Sequence, residues 1–304
     1  MEYQIKQISY YAENILERLM AGTVHSVYRR TINLTDGRQI LSLQTDHSPL
    51  SPISLITGLT ADGFGRLTVS PGDTVHFQKD GILISGDGKA PCASYRFTFK
   101  DPQHYDLKLS KALDAPSRLA IIGSIREAVS KAQTGGFTIL FKDCPCRLLD
   151  SDNESPAGTN TDGSLSLVLL AAKNDILRCN KLLLDRKYPE AALELLRLLG
   201  LGCGLTPSGD DFLCGVLAGI LFSGNTDHPF AKMVKKSVEA RLADTIDISA
   251  AFLSCALKGQ FSLPVVSLYG LPSSDEILTA FSAVGHSSGI DTLCGILWSL
   301  IQIR

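Results

Sequence analysis

The sequence lacks most of the short signatures that identify a reaction at sight. Its eight cysteines include no C-x-x-C pair, which excludes the usual zinc ribbon or finger. Cys144 and Cys146 form a C-P-C pair, and Cys92, Cys179, Cys203, Cys214, Cys255 and Cys294 are scattered. In a long chain this distribution reads as buried free thiols in a reducing compartment. No Gly-Lys-Ser/Thr ending occurs, so there is no Walker loop. The string GLGCGL (200–205) starts like a dinucleotide fingerprint, but Leu205 stands where the third glycine belongs and no strand pattern precedes it. Charge of one sign is also missing. A net charge of −2 without like-charged blocks argues against nucleic acid and anionic membranes as partners. The longest apolar runs, such as 212–222, are broken by glycine and too short to span a bilayer. The opening MEYQIKQISYY has no basic-then-apolar layout, so secretion is not expected and a cytoplasmic location is.

What is present is ordinary globular composition, 44% apolar and 20% charged over 304 residues, enough for one large or two ordinary domains. Helical spacing over 10–20 is followed by alternation in GTVHSVYRRTINLT, a hairpin turn at Asp36-Gly37 and QILSLQT. After the loop HSPLSPIS come four short strand candidates, RLTVS, TVHFQ, GILISG and SYRFTF. Pro71-Gly72, Asp80-Gly81 and Asp87-Gly88 separate them. This pattern predicts a small antiparallel sheet or barrel over 22–100. His25, His47 and His76 fall in separate segments with no ligand spacing and read as ordinary sheet or loop histidines.

The composition changes near 101–106. An amphipathic helix is expected over 117–133, closed by Gly135-Gly136, then a short apolar strand, FTILF (137–141). SDNESPAGTNTDG (151–163) reads as an exposed loop. Helices are expected over 164–185, 188–199, 208–222, 229–242, 246–258, 273–283 and 288–302. The fold class predicted is α+β, with a β-rich N-terminal module (1–108) and a mainly helical domain (109–304) carrying two similar loop-to-helix turns.

Those turns carry the chemistry. GLGCGLTPSGDDFLCG (200–215) lies between two apolar helical runs, and GHSSGIDTLCGILWSL (285–300) repeats its core. Ser208, Gly209, Asp211, Leu213, Cys214, Gly215 and Leu217 recur eighty residues later as Ser288, Gly289, Asp291, Leu293, Cys294, Gly295 and Leu297. One reading is purely structural. Ser208 and Ser288 would be N-caps and Asp211 and Asp291 the partners of capping boxes, with Gly215/Gly219 and Gly295/Ser299 letting two helices pack closely about a pseudo-twofold. Asp210, His286 and the glycines at 200, 202 and 204 exceed that need.

The functional reading makes Asp210, Asp211, Asp291 and His286 catalytic candidates. Gly202, Gly204, Thr206, Ser208, Gly209, Ser287, Ser288 and Gly289 would bind an anionic substrate at the helix ends. The carboxylates would hold Mg²⁺ through Asp210, Asp211 and Asp291, or else accept from an amide or carbamoyl N–H₂ group. Ser208 lies in T-P-S-G-D rather than in a nucleophile elbow, which sets a serine nucleophile aside.

The two motifs, with GTVHSVYRRTINL and the PLSP segment, resemble a bacterial family that includes a subunit of the oxamate carbamoyltransferase complex of anaerobic allantoin breakdown (AllH-like). Cys203 departs from the proline expected at its motif position. The resemblance implies phosphorolysis of oxalurate to oxamate and carbamoyl phosphate, together with partner subunits. The alternatives are a non-catalytic ligand-binding or assembly subunit and a Mg²⁺-dependent hydrolase of a small anionic substrate.

Overall fold

The computed structural model describes residues 1–86, 94–133, 136–142 and 166–303. The expected Asp87-Gly88 turn, the C-P-C pair and the 151–163 loop lie outside the described residues. The chain divides into two compact units, Met1–Lys108 with Gln260–Leu263, and Leu109–Gly259 with Pro264–Arg304. The class is α+β.

The first unit is a β-barrel. Its elements in order are β1 (Glu2–Ser9), α1 (Tyr10–Leu16), β2 (Ala21–Val27), β3 (Thr31–Thr35), β4 (Ile40–Gln44), β5 (Ser54–Thr57), α2 (Ala61–Gly65), β6 (Thr74–Gln78), β7 (Gly81–Ser85), β8 (Ser94–Thr98) and β9 (Gln103–Tyr105). The sheet runs β5-β4-β3-β2-β6-β7-β8-β1-β9, and β1 also pairs with β5, which closes eight strands into a ring. β6 shows the alternation that drives this packing, with Val75 and Phe77 buried between exposed neighbours. Across β3 and β4, Ile32 faces Leu43 and Leu34 faces Leu41, all fully buried. On the opposite face Ser42 Oγ donates to Asn33 Oδ1 at 2.7 Å.

Two expectations for this unit are corrected. The sheet is mixed rather than antiparallel, since β1–β8, β1–β9 and β4–β5 are parallel. RLTVS forms no strand: Thr68 N donates to the Tyr95 hydroxyl and Ser70 N to Asp73 Oδ2, so the backbone is held by side chains. The barrel also begins earlier than expected. β1 escaped the alternation test because its register shifts between Ile5 and Gln7, leaving buried Ile5 and Ile8 three residues apart.

The second unit is helical: α3 (Ala115–Lys131), α4 (Thr138–Lys142), α5 (Leu167–Leu184), α6 (Tyr188–Leu195), α7 (Ser208–Ser223), α8 (Pro229–Ala240), α9 (Asp247–Leu257), α10 (Leu263–Ser267), α11 (Ser274–Ser282) and α12 (Ser288–Gln302). FTILF is therefore a helix, not a strand. A five-residue apolar run has no period long enough to decide between the two. Phe137 and Phe141, four apart, both pack on Phe212, with ring centroids 5.4 and 5.9 Å away. Phe212 in turn stacks near Trp298, whose Nε1 donates to Asn180 Oδ1 at 2.9 Å.

At the centre of this unit α7 and α12 lie side by side. A Cβ placed on Gly215 would fall 2.0 Å from the carbonyl oxygen of Thr292, and one on Gly295 would fall 2.0 Å from that of Phe212. Further along, a Cβ on Gly219 would meet Ser299 Cβ at 2.7 Å. Later residues of one helix thus meet later residues of the other, so the pair is parallel and related by the eighty-residue offset. The absence of side chains at Gly215 and Gly295 sets the close spacing. Both N-termini consequently arrive at the same end.

Candidate functional site

The loop before α7 requires its glycines. Gly200, Gly202 and Gly204 have φ of +72°, +134° and +109°, where a side chain is strained. At the following turn a Cβ on Gly209 would lie 1.9 Å from the Leu198 carbonyl oxygen; one on Gly289 would lie 1.9 Å from that of Phe281. The two turns also close alike: Gly209 N donates to Leu201 O at 2.9 Å and Gly289 N to Val284 O at 3.0 Å. These two amides, expected to bind an anion, are consumed by the turns themselves.

The expected capping boxes do not form. The N-cap of α7 is Pro207 and that of α12 is Ser287, neither with a side-chain cap, so Ser208 and Ser288 are first-turn residues. The capping box in this unit is at Ser273 and Glu276, which cap α11. Asp211 and Asp291 instead reach across the pseudo-twofold. Hydrogen bonding from Ser288 and Thr206 acts on Asp211, and from Ser208, the Phe137 amide and Ser287 on Asp291. Thr206 Oγ1 and Ser288 Oγ lie 2.8 Å apart and tie the first turn to the second.

Burial dominates both carboxyls. Asp211 is 9% and Asp291 0% exposed. Loss of hydration pushes Asp211 well above the usual carboxylate range, and the nearby charge of Asp291 pushes the same way. Burial likewise raises Asp291 to about 6, against the hydrogen bonds that favour its charged form. Among the described residues the Oδ2 atom of each has no hydrogen-bond partner.

The remaining candidates divide. Asp210 is committed to the loop, its Oδ1 accepting from Gly200 N at 2.7 Å and its Oδ2 from Thr245 Oγ1. Asp210 therefore holds the loop shape rather than facing an open cleft. His286 is exposed, as is Gly204, while Gly202 and Thr206 are half-buried. Residues 285–289, GHSSG, have the G-x-S-x-G spacing but join α11 to α12 with no strand before them, so no nucleophile elbow exists there. Among the described residues no group of three His, Cys, Asp or Glu side chains is suited to a metal ion. Cys179, Cys255 and Cys294 are buried thiols, whereas Cys203 is exposed in the loop and Cys214 half-buried.

One contributor went unnoticed in the sequence. Phe137 N donates to Asp291 Oδ1 at 2.7 Å, and a Cβ on Gly136 (φ +73°) would sit 2.5 and 2.6 Å from the two Asp291 oxygens. Gly136 had been read as a helix stop, yet α3 ends at Lys131. The signal was the second glycine of a Gly-Gly pair, more than one stop requires.

A family model for the AllH family N-terminal domain matches residues 4–101, and one for oxamate carbamoyltransferase subunit AllH matches 198–300. The chain belongs to the AllH family. The C-terminal match contains both turns, and the N-terminal match spans the barrel strands β2 to β8; Gly136 and Phe137 fall between the two. AllH membership supports a role as a subunit of a carbamoyltransferase complex. No solved structure matches the chain. Among the described residues no helix is long and apolar enough to cross a membrane.

Proposed function

We propose that this chain carries part of the active site of a carbamoyltransferase that converts oxalurate and phosphate to oxamate and carbamoyl phosphate with partner subunits. The observation that supports this best is the pair Asp211 and Asp291: two buried carboxyls, each with an unmet oxygen, crossed with Ser288 and Ser208 where two helices begin. In the reaction a phosphate oxygen attacks the ureido carbon and the bond from that carbon to the oxamate nitrogen breaks. Phosphate gives up one proton and the oxamate nitrogen takes up one. A carboxyl raised toward neutrality can carry that proton, because a group titrating near the working pH serves as both donor and acceptor. Burial supplies the shift here. The hydroxyls of Thr206, Ser208 and Ser288 orient the reacting group, and the parallel helix ends favour negative charge developing beside them.

The test is turnover of the complex assembled with Asp211→Asn or Asp291→Asn. Loss of roughly 10²-fold or more in kcat is expected, the range of a general acid–base contribution. Wild-type turnover in both variants would remove this reading. Turnover by the partner subunits without this chain would replace it with an assembly role.

A further inference from the structure

We infer that the paired turns bind the N–H₂ end of a carbamoyl or ureido group through Asp211 and Asp291, and that they do not hold the phosphate. This rests on the carbamoyl-transfer reading and narrows it to one end of the substrate.

What the site offers is acceptors. Asp211 Oδ2 and Asp291 Oδ2 are buried without a donor among the described residues, on side chains at least nine-tenths removed from solvent. Such oxygens are complementary to N–H hydrogens, and a planar N–H₂ group has two of them. Four backbone donors around it are already used. The Gly209 and Gly289 amides are bonded to Leu201 and Val284, the Gly200 amide to Asp210 and the Phe137 amide to Asp291. The favourable field of both helix ends already acts on the chain's own carboxyls. No lysine, arginine or histidine among the described residues forms an ion pair with Asp211 or Asp291. A phosphate placed here would face two buried acids with no cation between them.

The two acids are not equivalent. Gly136 and Phe137 close over Asp291 and supply it with one N–H, whereas Asp211 keeps some exposure.

The deciding comparison is oxalurate against N-acetyloxamate, in which a methyl group replaces the terminal N–H₂. Thermal midpoints of the intact complex are read with each, with inorganic phosphate and with Mg²⁺, for wild type and Asp211→Asn; a ligand of the native state raises the midpoint by mass action. Oxalurate is expected to raise it in wild type more than N-acetyloxamate does, and to lose roughly tenfold or more in affinity in the variant, as for a hydrogen bond left unmade at a buried group. Any phosphate effect should be the same in both. In turnover, the variant's KM should rise for oxalurate and not for phosphate. The inference is overturned if N-acetyloxamate acts like oxalurate, if oxalurate has no effect, if the phosphate response depends on Asp211, or if Mg²⁺ alone stabilises wild type but not the variant. The wild-type oxalurate and N-acetyloxamate arms need no variant to fold. Unaltered turnover and KM in both Asp211→Asn and Asp291→Asn would be a separate result, removing the carbamoyl-transfer reading itself.

Discussion

The first turn and the second share a design and differ in how they are finished. Both press a glycine, Gly209 or Gly289, onto a preceding carbonyl, and both send an aspartate across to the other turn's serine. The first is braced from within its own half of the repeat, where Asp210 ties Gly200 to Thr245. The second is braced from outside the repeat, by Gly136 and Phe137. A repeated motif therefore builds a symmetric frame, within which Asp291 is fully closed and Asp211 keeps 9% exposure.

The frame itself is the first thing to break. Gly215→Val and Gly295→Val each force atoms into a backbone carbonyl 2.0 Å from where Cβ must lie. Each should cost at least about 3 kcal/mol, the upper range of overpacking, and the two losses should be similar if the pseudo-twofold holds. Urea denaturation measures both.

The titration of the closed acid comes next. Asp291 releases its proton near 3.8 when exposed in the unfolded chain and at about 6 when folded. Between those values the folded state binds a proton that the unfolded state has lost. This contribution is thus fully present below about pH 4 and is lost as pH rises through 6, by up to about 3 kcal/mol. The difference in stability between wild type and Asp291→Asn, followed by denaturation from pH 4 to 7, should trace that fall; a flat difference would contradict it. Asp211 shifts in the same direction.

Gly136→Ala tests the asymmetry. Its methyl group would meet both oxygens of Asp291 at a positive φ, so a loss of about 2 kcal/mol is expected. Amide exchange at Phe137 should accelerate in that variant. Ser208→Ala should have the smallest effect. It removes a hydrogen bond that favours ionised Asp291, so the midpoint of the Asp291 titration should move further above 6, while Ser288→Ala should move Asp211 instead. If each serine acted on the aspartate of its own helix, the two results would be exchanged.

Helices and strands with a clean period were legible in the sequence, and so was the echo that pairs the turns. The packing that follows from Gly215 and Gly295 could be read from small residues four apart. Two kinds of feature were hidden. A bulge in β1 removed its alternation, and the five-residue α4 was too short to show any period. Partner choice in the site was hidden as well. Spacing makes Ser208 and Asp211 a capping box on one helix, but parallel packing puts the serine of each helix within reach of the other's acid, and only the tertiary structure reveals that exchange. Asp210 looked like a third acid because its two partners, Gly200 and Thr245, lie ten and thirty-five residues away.

The seam of the barrel carries a consequence for how the chain is made. β1 is synthesised before its partners, yet it pairs with β5 through Ile5–Thr57 and with β8 through Glu2–Arg96. Its partners are fifty to nearly a hundred residues downstream, a contact order that favours slow closure. On the ribosome Ile5 and Ile8 must wait for Ser54–Thr57, and Glu2 to Gln4 for Ser94–Thr98, before the strand is paired. A nascent chain cut before Thr98 would expose an open apolar edge, the surface on which chaperones and aggregation compete.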